Sequence, residues 1–247
     1  MRNIKLIIEY DGKDFNGWQK QPNKLNIQGT IEQAIKRITG EDVDLMASGR
    51  TDSGVHALGQ VANFKTNSKI PIDKIAIALN SNLKKSIRIL KAEEVEDRFH
   101  SRLTCKRKTY RYIINNSEVS SAIYRNLETH IPIKLNVEKM QEGAKYFEGE
   151  HDFKAFKASG TSSKSSVRKI YKAEVKSMPN NRICIELTGN GFLYNMVRII
   201  AGTLVEVGME KIEPKDIKTI IDSKDRGQAG KTLPPQGLYL VKVEYEN

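Results

Sequence analysis

Ile4-Lys5-Leu6-Ile7-Ile8-Glu9-Tyr10-Asp11-Gly12 decides the fold class. β-branched and apolar residues alternate around polar ones and stop at an Asp-Gly pair, as in a strand closed by a turn. The next stretch has a different period. Ile27, Ile31, Ala34, Ile35 and Ile38 fall on one helical face, and Gly40 is placed to cap its C-terminus. Val43 to Ala47 is a short strand leading to a glycine-bearing loop, and Gln60 to Thr66 reads as the strand after it. Pro71 suits the first turn of a helix carrying Ile75, Ile77 and Leu79. Ile87 to Val95 is strand-like again. The order is β-α-β-β-α-β, the split ferredoxin-like arrangement.

The remaining sequence repeats this plan. Thr109 to Ile114 is a strand; Val137, Met140, Ala144 and Phe147 mark a helix, with Gly149 after it. Ile170 to Ser177 and Arg182 to Thr188 form a hairpin pair across Met178-Pro179-Asn180-Asn181. Leu193, Met196, Val197, Ile200 and Leu204 make a helical stripe that stops near Gly208. Pro214 opens a short helix through Ile217, Ile220 and Ile221, and Leu238 to Tyr245 is a final strand. The expected fold is α/β of the α+β kind. It has two ferredoxin-like (RRM-like) halves, residues 1–104 and 105–247, whose mostly antiparallel sheets join into one extended sheet around a central cleft. The Ser-, Gly- and Lys-rich stretch Ala158 to Lys169 reads as a mobile basic loop.

At 247 residues the chain can bury a full core. Its net charge of +11 points to a polyanionic partner, nucleic acid before an anionic membrane. Cys105 and Cys184 are 79 positions apart with no Cys-x-x-Cys pair, which argues against a zinc ribbon or redox motif. No signal peptide is expected, no apolar run approaches the ~18 residues of a membrane span, and a cytoplasmic setting fits.

The densest segment is Gly49-Arg50-Thr51-Asp52-Ser53-Gly54-Val55-His56-Ala57-Leu58-Gly59-Gln60. One carboxylate stands in a loop between an arginine and a glycine, and loops on a rigid scaffold are where reactive groups tend to be displayed. A lone aspartate after threonine is by itself an ordinary turn or cap residue. His56 has the type of a general base, and packing is its expected role. In Lys106-Arg107-Lys108-Thr109-Tyr110-Arg111-Tyr112, period two puts the tyrosines on one strand face and Arg111 on the other. Aromatics among cations suit base stacking with phosphates held alongside, and equally suit an ordinary strand with solvated lysines. Arg198 lies roughly 140° around the helix from Leu193, beside the apolar stripe. Surface exposure is its default, and burial would call for a carboxylate partner such as Asp52.

Other motifs drop out. Gly230-Lys231-Thr232 ends like a P-loop, but Asp225 stands where its first glycine belongs and Pro234-Pro235 follow where a helix must start. Gly189-Asn190-Gly191 lacks a third glycine. His151-Asp152 has no second histidine at ligand spacing, and no metal site is expected.

The ordered set of motifs resembles the tRNA pseudouridine synthase A family. Tyr10-Asp11-Gly12 with Phe15-Asn16-Gly17-Trp18-Gln19, Gln28-Gly29-Thr30-Ile31-Glu32 and the Asp52 block stand in the family's order. So do Lys108-Thr109-Tyr110-Arg111-Tyr112, Gly149-Glu150-His151-Asp152-Phe153, Asn190 to Gly202 and Gln236-Gly237-Leu238-Tyr239-Leu240. Ser53 departs from the family's usual alanine. The resemblance implies a homodimeric enzyme without metal or organic cofactor. It would convert uridine to pseudouridine at positions 38, 39 and 40 of the tRNA anticodon stem-loop. It also implies that Asp52 is the nucleophile, Tyr110 stacks on the target base, Arg198 pairs with the aspartate and Arg50 helps displace the base. Lys106, Arg107, Lys108, Lys164, Arg168 and Lys169 are the expected RNA contacts.

That chemistry needs the base out of its stack and an ionised carboxylate. Attack at ribose C1′, addition to uracil C6 and a glycal route all remain open. Two other classes compete: a non-catalytic RNA-binding protein, which has no need of Asp52, and a carboxylate-dependent hydrolase of nucleosides or sugars, which wants a second carboxylate.

Overall fold

The computed structural model describes residues 1–160 and 165–245. In chain order the elements are β1 (Arg2–Tyr10), α1 (Ile27–Thr39), β2 (Met46–Ala47), β3 (His56–Thr66), α2 (Ile72–Asn82) and β4 (Ile87–Val95). They continue as β5 (Cys105–Asn115), β6 (Thr129–His130), α3 (Val137–Ala144), β7 (Gly149–Asp152), β8 (Val167–Met178), β9 (Arg182–Gly189), α4 (Met196–Gly208), α5 (Asp216–Ser223) and β10 (Leu238–Tyr245). The fold is mixed α+β with mostly antiparallel strands. The chain divides into two compact units, Met1–Lys106 with Tyr239–Asn247, and Arg107–Leu238.

In the first unit β1 lies between β4 and β3, antiparallel to both. Ile4, Leu6 and Ile8 are wholly buried on alternate positions, as the sequence pattern requires. Ile27, Ile31 and Ile35 of α1 are wholly buried as well. α1 is framed by its caps. Asn26 Oδ1 accepts from Gly29 N, and Gly40, at φ 75°, donates its amide to the Lys36 carbonyl. α2 starts after Pro71 as expected, but Ile77 is 65% exposed while Ile75 and Leu79 are buried. Two positions from each of them, Ile77 points off the buried face at helical period.

β2 shrinks to two residues on β3, against Asn63 and Ala62. β3 begins four residues before the expected strand and takes in His56, Ala57, Leu58 and Gly59. The reason is pairing on both sides: Tyr10 of β1 lies opposite Ala57, and β10 runs parallel to β3, Tyr239 opposite His56 and Leu240 opposite Ala57. At Gly59 a Cβ would stand 2.6 Å from the Val241 carbonyl oxygen. β10 thus belongs by its contacts with the first unit, whereas a division after residue 104 leaves it with the second.

In the second unit the order is β5-β9-β8-β7, all antiparallel, with β6 parallel to β5. The β8–β9 hairpin turns through Asn180 and Asn181 at φ 61° and 52°, a left-handed conformation that asparagine tolerates. Ala173, Val175, Ile183, Ile185 and Leu187 point to one face of this sheet and are buried. α4 does not present a single apolar stripe. Ile199, Ala201, Gly202 and Thr203 are also buried, so the helix is covered on nearly all sides. The expected basic loop over Ala158 to Lys169 is cut short because β8 begins at Val167, and residues 161–164, with Lys164, lie outside the described residues.

Candidate active site

The loop from Ser48 to Val55 is fastened at several points within the first unit. Ser48 N donates to the Val61 carbonyl at 2.8 Å, and Ser48 Oγ to Gln60 Oε1 at 2.7 Å. Gln60 is fully buried, and its Nε2 donates to the Gly49 carbonyl at 2.9 Å. Thr51 Oγ1 pairs with the Tyr10 hydroxyl at 2.7 Å. Burial holds the Tyr10 phenol far above its ordinary pKa, so it stays a neutral partner. Asp52 follows, half-buried, and the Val55 amide closes a turn onto its carbonyl at 3.1 Å.

A second segment backs this loop. Trp18 N donates to the Thr51 carbonyl at 3.0 Å, and Gly54 N reaches the Phe15 carbonyl at 3.4 Å. Gly17 takes φ +81°, and a Cβ there would meet Thr51 O at 2.6 Å and Asp52 C at 3.1 Å. Ser53, in place of the usual alanine, donates its hydroxyl to Phe15 O at 3.2 Å. Gly12 is equally close to the far end of the loop: its Cβ would stand 2.0 Å from Val55 O. The Gly12 amide donates to His56 Nδ1 at 3.1 Å, and the His56 ring stacks on Tyr239 with centroids 4.9 Å apart. Tyr10, Gly12, Phe15, Gly17, Trp18 and Gln60 therefore set the position of the Asp52 backbone. None carries reactive chemistry, so only their place in ordered motifs marks them in the sequence. Arg50 is exposed on the same loop.

In the second unit Tyr110 and Tyr112 share one face of β5, as period two requires, and their surroundings differ. Tyr110 is 8% exposed and meets Phe192 edge-on at 5.0 Å. Tyr112 is wholly buried, with its hydroxyl paired to Thr129 Oγ1 and donating to the Pro234 carbonyl at 2.7 Å. Arg111 faces the other way and pairs with Glu186 at 2.8 Å. Lys106 and Arg107 are exposed and Lys108 is half-buried.

Arg198 is half-buried in the first turn of α4. Its Nε donates to the Leu233 carbonyl at 2.6 Å and its Nη1 to Asn195 Oδ1 at 2.7 Å. Leu233 is brought there by residues 230–233, which run against the helix. A Cβ at Gly202 would stand 1.8 Å from Lys231 O, and the Gly230 amide donates to Thr203 Oγ1 at 2.9 Å. The Gly230-Lys231-Thr232 triplet is thus a close-packed strap over α4. Arg168 is half-buried on β8, where desolvation lowers its pKa, and lies beside Gly191.

The family model for tRNA pseudouridine synthase matches residues 6–103 and 144–246. The chain belongs to the tRNA pseudouridine synthase family. Proteins called tRNA pseudouridine synthase A from Caldicellulosiruptor saccharolyticus, Acetivibrio thermocellus and Clostridium acetobutylicum are 56%, 54% and 49% identical to it over 245 residues. Each alignment spans 99% of this chain and 100% of the relative. Family membership makes the chain an isomerase. In this tRNA pseudouridine synthase the Asp52 loop, its Gly17–Trp18 backing and the α4 arginine lie inside the matched residues. Tyr110 lies between the two matched stretches, in sequence that the full-length relatives span.

Proposed function

We propose that the chain isomerises uridine to pseudouridine at positions 38, 39 and 40 of the tRNA anticodon stem-loop, with Asp52 as nucleophile. The reaction breaks the bond from ribose C1′ to uracil N1 and makes one from C1′ to C5. C5 gives up its proton and N1 gains one, so no oxidant or co-reactant is required. Attack at C1′, addition to C6 and a glycal route each begin from an ionised carboxylate beside an extruded base. Tyr110 holds the detached uracil by stacking, Arg198 pairs with Asp52 and orients it, and Arg50 helps displace the base. Lys106, Arg107, Lys108, Lys164, Arg168 and Lys169 hold phosphates. The enzyme works as a homodimer in the cytoplasm and uses no metal or organic cofactor.

The observation that carries the reading is a half-buried carboxylate on a many-point-anchored loop in a member of this family. Family membership also weighs against the hydrolase and the non-catalytic RNA binder. The test is mass spectrometry of tRNA after incubation, with cyanoethylation to mark pseudouridine. The parent protein is expected to modify positions 38–40. Asp52→Asn is expected to bind tRNA and leave every uridine unchanged. Product formed by Asp52→Asn at the parental rate would refute the nucleophile.

A further inference from the structure

The face of the β5-β9-β8 sheet opposite Tyr110 carries a grouping that the proposed chemistry does not use. β8 has a bulge there: Ile170 pairs with Gly189 and Lys172 with Thr188, which leaves Tyr171 as the extra residue. A bulge re-aims side chains. Here Lys169, Tyr171 and Lys172 are all exposed, while Ile170 alone turns into the core. From β5, Arg107 has the parity opposite to Tyr110 and is also exposed. Its guanidinium lies over the Tyr171 ring, 4.7 Å from the centroid, and Lys169 Nζ lies 5.8 Å from the same centroid. On the same face Glu174 pairs with Lys172 and Lys176, at 2.8 and 2.9 Å, and Glu186 with Arg111.

We propose that Tyr171 is a positioning residue that holds Arg107 and Lys169 together as one phosphate-binding subsite, taking a phosphodiester of the tRNA backbone. The ring quadrupole attracts both cations. It fixes two otherwise flexible side chains beside each other and lowers the entropy lost when they close on an anion. The guanidinium supplies a planar fork for phosphate oxygens and the ammonium a point charge. The subsite lies on the other sheet face from Tyr110, so it acts on binding and not on the reacting base. This inference rests on tRNA being the substrate.

The experiment compares tRNA binding across a potassium chloride series, and steady-state turnover, for the parent, Tyr171→Ala, Tyr171→Phe, Arg107→Gln and the Arg107→Gln/Tyr171→Ala double variant. Tyr171→Ala is expected to raise Kd and KM about two- to fivefold and to flatten the salt slope by up to about 1. kcat should be unchanged. Tyr171→Phe keeps the ring and should match the parent. The double variant should lose less relative to Arg107→Gln than Tyr171→Ala loses relative to the parent, because only Lys169 is then left for the ring to position. An unmoved Kd and salt slope in Tyr171→Ala would overturn the subsite, and so would a fall in kcat at constant KM. A Tyr171→Phe protein as weak as Tyr171→Ala would overturn the ring's role. A parent protein that makes no pseudouridine in tRNA sinks the substrate reading instead, and the two failures are told apart by that first control.

Discussion

Gly17 stands against the Thr51 carbonyl so closely that any Cβ would lie 2.6 Å from its oxygen, and the next amide, Trp18 N–H, donates to that same oxygen at 3.0 Å. The residue before the proposed nucleophile is thus held from behind by a segment some thirty-five positions earlier in the chain.

Gly17→Ala should therefore displace the Asp52 loop. The positive φ costs on the order of 1–3 kcal/mol for a residue with a Cβ, and the clash adds to it. Turnover is expected to fall much further than tRNA affinity, with a lower melting temperature. Single-turnover kinetics beside calorimetry check this, and an alanine variant with parental turnover would show that the wall does not set the loop. Ser53→Ala removes only an exposed-edge hydrogen bond, worth about 0.5–1.5 kcal/mol, and should turn over nearly as the parent does.

Arg198 joins Asn195 and Leu233 through two different nitrogens of its guanidinium. Arg198→Ala leaves the Leu233 carbonyl and Asn195 amide oxygen without that donor and should cost roughly 1.5–3 kcal/mol, together with most of the turnover. Arg198→Lys should recover only part of either, since an ammonium lacks the planar fork. Melting curves and single-turnover rates on both variants decide it; an alanine variant as active as the parent would end the ion-pair proposal.

Tyr110 and Tyr112 should fail in different ways. Tyr112→Phe removes the hydroxyl shared with Thr129 and Pro234 and should destabilise the protein by about 1–3 kcal/mol, with little effect on kcat at a permissive temperature. Tyr110→Phe keeps the ring edge against Phe192, so stability and base binding are expected to hold. A large loss of turnover in Tyr110→Phe would assign its hydroxyl a proton-transfer role. Chemical denaturation and turnover measured on the same preparations separate the two.

Alkali should unfold the protein earlier than neutral conditions predict. Burial raises the phenol pKa values of Tyr10, Tyr112 and Tyr245 far above the ordinary value. Below about pH 10, the unfolded-state pKa, all three are protonated in both states and contribute fully. Above it the unfolded chain ionises while the folded one cannot, so stability falls as pH rises. Urea midpoints between pH 8 and 11 test this, and Tyr112→Phe should show a shallower decline above pH 10. A midpoint independent of pH in that window would contradict it.

The homodimer proposal predicts a mass of two chains in light scattering at micromolar concentration. It also predicts tRNA affinity that falls steeply with salt, because each phosphate contact releases counterions. A fully active monomer would refute it.

Local pattern carried much of this molecule. β4 and β10 have the bounds the alternation implied, Gly40 caps α1, and Asn180-Asn181 turns the β8–β9 hairpin. These features depend on period and on the backbone preferences of single residues, which a sequence displays directly. Asp52, Tyr110 and Arg198 are proposed as site residues on the motifs that carry the family resemblance.

Tertiary structure decided what depends on a distant partner. The second part of the Asp52 block is strand because distant strands pair with it: β1 opposite Ala57 and Gln60, and β10, about 180 residues away in the chain, opposite His56 and Ala57, pairings that no window of sequence encodes. α4 is buried nearly all round, and the Gly230 strap reaches it because Gly202 has no side chain. Tyr110 and Tyr112 are equivalent in period, and it is tertiary structure that brings the Thr129 and Pro234 oxygens to the Tyr112 hydroxyl. Alternation tells which way a side chain points; what it meets there is set by long-range packing, where hydrogen-bond satisfaction and close approach choose among chains with the same local pattern.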